Sequence, residues 1–143
     1  MDLSQLLQLT IDKKASDLHV VPGYYPTIRV NGELFQLTTL AIITPEDSEK
    51  MLISFLKDEQ KEILSANREI DLAYSLNTNR YRVNLYYAQN MLCGSFRFIQ
   101  PKISTLEELS LPAFLHQCTD YRQGLVLLTG PTGEGKSTTL ASI

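Results

Sequence analysis

The stretch that most limits the fold lies near the carboxyl end, where GLVLLTG at 124 to 130 runs into GPTGEGKS at 130 to 137. Continuous rather than alternating apolarity predicts a strand covered on both faces, as in an α/β domain. The octet fits GxxxxGK[ST] at each fixed position, and the STTLASI segment is compatible with a helix. Gly130, Gly133 and Gly135 let the main chain curl with its N–H groups inward, into a nest of anion size. A helix beginning near Lys136 points the positive end of its dipole at the same spot. The candidate phosphate-binding set is Gly130, Pro131, Thr132, Gly133, Glu134, Gly135, Lys136, Ser137 and Thr138. Lys136 places an ammonium against the β and γ phosphates, where charge develops in phosphoryl transfer. The Ser137 hydroxyl is the usual protein ligand for magnesium. ATP and Mg2+ are the implied ligands.

Such a loop is a binding device first. Hydrolysis also needs an acid on a neighbouring strand and a group that positions water, and these normally follow the first helix. The sequence stops inside that helix. The chain is therefore expected to carry the grip without the catalytic half, with weak nucleotide binding and negligible turnover by itself.

Upstream, the pattern is of another kind. Leu3, Leu6, Leu7 and Ile11 share a helical face, closed by Asp12, Lys13 and Lys14. SDLHVVPG at 16 to 23 reads as a short strand, with Leu18 and Val20 on one side and Asp17, His19 and Val21 on the other. In TIRVNGELFQL at 27 to 37, Asn31-Gly32 predicts a two-residue hairpin turn. Thr44-Pro45-Glu46-Asp47 opens a helix: a capping hydroxyl, a proline at the first position, acids at the positive dipole end. Leu52, Phe55 and Leu56 line its buried side, and a second helix follows over 58 to 66. EIDLAYSL, a turn at 77 to 79, RYRVNLYYAQ and MLCGSFRFIQP then predict an antiparallel meander, with Ile70, Leu72 and Tyr74 on one side. Thr105–Leu109 and Pro112–Cys118 read as two short helices, with Glu107 and Glu108 as solvated acids near a helix start. The fold class is α+β. A small domain covers 1–100, a linker with short helices 101–122, and the start of an α/β phosphate-loop domain 123–143.

Composition narrows the partners. Net charge is −3, with no implied basic face, so a nucleic-acid partner is not expected. Cys93 and Cys118 have no metal-ligand or disulfide-framework spacing and read as reduced, mostly buried thiols. No positive leader segment is present, and no apolar run nears the roughly 20 residues that cross a bilayer. A cytoplasmic protein is expected, with membrane association only through a partner.

Taken together, ASDLH at 15 to 19, IRVNGEL at 28 to 34, EIDLAYSL at 69 to 76, RYRVNLYYAQN at 80 to 90, FRFIQPKISTLEEL at 96 to 109 and GLVLLTGPTGEGKSTTL at 124 to 140 resemble the secretion-superfamily motor ATPases, most of all the type IV pilus retraction ATPases (the PilT family). The SDLH strand starts at residue 16, without the long preceding segments of the pilus-assembly and type II secretion branches, and this resembles the retraction branch. Two departures stand out: Glu134 replaces a usually small residue, and VPGYYP at 21 to 26 replaces a small-residue and proline-rich version. The resemblance implies a PAS-like N-terminal domain linked to a RecA-like domain, six subunits in a ring, and ATP held between the domains. It also implies hydrolysis-driven domain motion that removes pilin through an inner-membrane platform protein, giving pilus retraction and twitching motility. A type II secretion or pilus-assembly ATPase is the sister alternative. A non-catalytic oligomerisation or interaction module is the other.

The family also places arginines of the meander near the nucleotide phosphates, and Arg80, Arg82 and Arg97 are the candidates. Guanidinium suits a terminal phosphate. The competing reading is a solvated sheet face paired with Glu69 or Asp71. His19 reads as a structural histidine bonded to Asp17 or main chain rather than a metal ligand or acid–base group, since His116 is the one other histidine. Tyr24-Tyr25 and Tyr86-Tyr87 read as packing or subunit-contact residues rather than base-stacking ones.

Overall fold

The computed structural model describes residues 2–99, 103–131 and 134–143. These divide into two compact units, Met1–Ile99 and Gln100–Ile143.

The first unit begins with α1 (Leu3–Asp12), capped by the Asp2 carboxylate, which accepts from the Ser4 amide. Leu3, Leu6, Leu7 and Thr10 are its buried face. Then come β1 (Asp17–Val20), β2 (Thr27–Val30) and β3 (Glu33–Gln36). The β2–β3 turn is Asn31-Gly32, at φ 50° and 87°. Both lie in the left-handed region that a tight hairpin needs, which is why Asn-Gly is favoured there. Thr44 caps α2 (Pro45–Ile53) by accepting from the Asp47 amide at 3.0 Å, with Pro45 at the first helical position. In α3 (Asp58–Asn67) the Gln60 side chain accepts from the Lys57 amide, and Arg68 ends the helix at φ 62°. The meander is β4 (Glu69–Leu76), β5 (Asn79–Ala88) and β6 (Met91–Ile99), with Asn79 already paired in β5 rather than in the turn.

The strands form one six-stranded sheet in the order β3-β2-β1-β6-β5-β4. All pairs are antiparallel. β1 joins the N-terminal hairpin to the meander by pairing with β2 on one side and β6 on the other.

Alternation gives the sheet two unlike faces. Leu18, Val20, Ile28, Ile70, Tyr81, Val83, Leu85 and Phe96 are buried on one face, in a single core with the buried side chains of α1, α2 and α3. Each large side chain so removed from water contributes roughly 1.5–3 kcal/mol before entropy is counted. Ser48 of α2 donates to the Leu92 carbonyl of β6. Leu52 packs over Gly94, where no side chain intervenes. Phe55, partly buried, stacks tilted on Tyr74 with ring centroids 4.7 Å apart. The opposite face carries the charged and polar side chains of β1, β4, β5 and β6.

The second unit departs from the sequence reading. The run 124–129 is not a strand: among the described residues nothing pairs with it, and Leu125 and Leu127 are 80% and 71% exposed. A strand exists through its neighbours' hydrogen bonds, and apolar composition alone does not supply them. Thr105–Leu109 is a single turn rather than a helix. Thr105 and Glu108 cap it reciprocally at 3.2 Å, and Leu111 donates to the Leu106 carbonyl, which closes the turn instead of extending it. Pro112–Cys118 becomes a 3-10 helix, Ala113–Thr119, too short to benefit from cooperative α-helix growth. α4 (Lys136–Ser142) starts where the sequence placed it.

Candidate nucleotide loop and arginine face

In the second unit, Gly130 and Gly135 take φ 152° and 78°, and Gly135 caps α4. Positive φ at these points turns the chain back on itself at no steric cost to glycine. The turn is closed by Lys136. Its ammonium donates to the Gly130 carbonyl at 2.8 Å and to the Pro131 carbonyl. The charged end of the lysine therefore lies against the main chain at Gly130 and Pro131. Ser137 and Thr138 occupy the first turn of α4. Glu134 is exposed. Thr132 and Gly133 lie outside the described residues. The donor set of ammonium, hydroxyl and first-turn amides suits a phosphate chain with a hard, oxygen-seeking cation.

In the first unit, the open face of the sheet collects the meander arginines. A row runs straight across the strands: Arg29, Asp17, Arg97 and Arg82 are successive cross-strand partners on β2, β1, β6 and β5. Ser95 and Asn84 pair in the neighbouring row. Asp17, Arg97, Arg82, Ser95 and Asn84, together with Glu69 and Asp71 of β4, line a shallow depression.

Asp17 is the buried member, 4% exposed. Its carboxylate accepts from Arg97 Nε at 2.9 Å and from the Ser16 hydroxyl at 2.7 Å, and lies 3.5 Å from Arg29 Nε. Burial by itself would raise this carboxyl. The Ser16 hydroxyl and the Arg97 guanidinium outweigh it and hold the group below the ordinary aspartate value. Arg82 donates Nε and Nη2 to Asp71, with contacts of 3.2, 3.0 and 2.6 Å. Hydrogen bonding to Arg82 lowers Asp71, and Asp71 raises Arg82. Asn84 donates to Glu69 at 2.8 Å. Arg80 forms no ion pair among the described residues.

Of the candidate arginines, the sheet thus brings Arg82 and Arg97 together. Arg80 lies one row away, opposite Ser75 and Ile99. Sequence reasoning missed the role of Asp17. An acid set beside Leu18 in a short strand, where aspartate is disfavoured, is the one local signal, and it does not name Arg97 as the partner. His19 departs from the expected hydrogen bond: its buried Nε2 has no partner among the described residues. Burial lowers its pKa, the Asp17 charge works against this, and Arg29 and Arg97 reinforce it. His116 Nε2 lies 3.2 Å from Glu107 Oε1. Tyr87 packs under the Arg68 guanidinium, 3.7 Å from the ring centroid, which agrees with a packing role. Among the described residues no group of His, Cys, Asp and Glu is placed to hold a metal ion, and no helix is long and apolar enough to cross a membrane.

No protein-family model matches the chain. It is 34% identical over its whole length to the type IV pilus ATPase PilU of Pseudomonas aeruginosa, and spans 37% of that protein. It is likewise 34% identical to the pilus retraction ATPase PilT of the same organism, and spans 42% of it. Among solved structures, the crystal structure of the pilus retraction motor PilT with bound ADP is similar over 99% of this chain and 42% of that one, with a TM-score of 0.80 and 30% identity. The chain thus spans well under half the length of these relatives.

Proposed function

We propose, for a chain that belongs to the family of the type IV pilus motor ATPases PilT and PilU, that residues 1–143 are the nucleotide-gripping part of a pilus retraction motor. The observation that carries this reading is the closure of the glycine-rich loop by Lys136, at the start of a helix. The likeness to the ADP-bound retraction motor supports it.

In this reading residues 1–100 are a PAS-like domain, 101–122 a linker, and 123–143 the start of a RecA-like domain. Loop amides from Gly130 to Thr138 hold the phosphates, with Lys136 on the terminal ones and the Ser137 hydroxyl beside Mg2+. Mg-ATP supplies hydrolysis as the source of motion when bound. Arg97 and Arg82 are the sheet-face arginines that meet the phosphates, with Arg80 as the outlying candidate. Six subunits form a ring in the cytoplasm, and the motion between domains drives retraction and twitching motility through an inner-membrane platform protein.

Calorimetric titration of the chain with Mg2+ and a non-hydrolysable ATP analogue tests the grip. Weak binding is expected, and Lys136→Ala weakens it about tenfold or more, the loss of a charge-assisted hydrogen bond. Equal affinity in the two proteins removes the loop from the reading.

A further inference from the structure

The open sheet face sets two guanidinium groups side by side and treats them unequally. Arg82 and Arg97 are directly opposite on β5 and β6, with side chains 67% and 68% exposed. Like charges at opposed positions repel. Each is offset by a carboxylate in a different way. Asp17 takes the Nε edge of Arg97 by a single N–H and is itself anchored by Ser16 and Arg29. The terminal amino groups of Arg97 make no hydrogen bond among the described residues. Asp71 instead takes both Nε and Nη2 of Arg82. That two-donor edge is the one a phosphate group engages bidentately.

We infer that Asp71 is an internal competitor for the anion at Arg82: it occupies the guanidinium edge that a phosphate-type ligand would use, and the ligand binds there by exchanging with it. This rests on the reading that the arginine face meets phosphate. The exchange is easy because the pair is solvent-exposed, and such pairs hold weakly. A polyphosphate carries more charge than a carboxylate and fits the same planar fork. Arg97 needs no such release, because its partner is buried and, among the described residues, nothing holds its terminal edge. The two arginines therefore differ: Arg97 stands ready and Arg82 is held back.

The test is a titration of the 143-residue chain with inorganic tripolyphosphate, followed by the arginine Nε–Hε NMR signals. Backbone amides of residues 134–137 report the loop separately. The Arg82 and Arg97 signals are expected to shift together with one affinity. Asp71→Asn should tighten that affinity about three- to fivefold, the range open to an exposed ion pair. Glu69→Gln removes a carboxylate from the same face without freeing Arg82, and should change it less than about twofold. In the double variant Asp71→Asn, Arg82→Gln, read at Arg97, the gain should vanish. Equal gains from Asp71→Asn and Glu69→Gln, or a gain that survives Arg82→Gln, reduce the effect to general charge and overturn the inference. Shifts at Arg97 with no gain in Asp71→Asn overturn it too, while the phosphate reading of the face stands. If neither arginine signal moves, both fall.

Discussion

The Ser48 hydroxyl, fully buried, donates a 2.6 Å hydrogen bond to the Leu92 carbonyl oxygen and so ties α2 to β6 across the core. Ser48→Ala removes the donor and leaves a buried acceptor one partner short. The expected loss is about 1–2 kcal/mol. Urea unfolding should show a lower midpoint with an unchanged slope, since the surface exposed on unfolding is the same.

Gly94 makes a second demand on the same contact. A Cβ there would stand 2.9 Å from Leu52 Cδ2 and 3.1 Å from both Leu85 Cδ2 and Phe96 Cε2. These are side-chain ends, but all three residues are fully buried and have little room to retreat. Gly94→Ala should therefore cost about 1–3 kcal/mol through overpacking. Adding Leu52→Val should recover part of the loss. A double-mutant cycle in which the two changes simply add would reject the steric account.

The polar face predicts a two-stage loss of stability in acid. His19 and Asp17 both have folded-state pKa values below their ordinary ones, 6.5 and 3.8. A depressed value means the unfolded chain takes up the proton first, so stability is present above the ordinary value and is lost as pH falls toward the folded one. His19 acts first, below about pH 6.5, as its ring must charge while half-buried against Arg29 and Arg97. Asp17 follows below about pH 4, when its hydrogen bonds to Ser16 and Arg97 are lost. Thermal unfolding across pH should show His19→Gln flattening the first stage alone. Asp17→Asn should be weaker at neutral pH, by about 1–3 kcal/mol, and converge on the wild type in acid.

Local chemistry was the legible part of this fold. Asn31-Gly32 announces its hairpin and Thr44-Pro45 its helix, because a turn and a cap are decided within four residues. The alternation in EIDLAYSL likewise names the buried side of β4. Pairing between distant segments was not legible. Nothing near Asp17 says that β1 lies beside β6, so the contact with Arg97 could not be read in advance. By contrast, Arg82 with Asp71 lies within one hairpin, and that pairing was foreseen among the alternatives. The apolar run Leu125–Leu128 shows the opposite failure. Its composition asks for a covered strand, yet strand formation depends on partners that composition does not contain.

The strand order also bears on how the sheet comes together. β2 meets β3, β4 meets β5 and β5 meets β6 through tight turns, so both blocks can form from near neighbours in sequence. The seam between β1 and β6 must wait for the long excursion through α2 and α3 to be closed, and such distant contacts are entropically the slowest to gain. Sequence separation thus favours assembly from the two hairpin blocks toward their seam, and on that order Asp17 would be sealed from solvent by the step that completes the sheet.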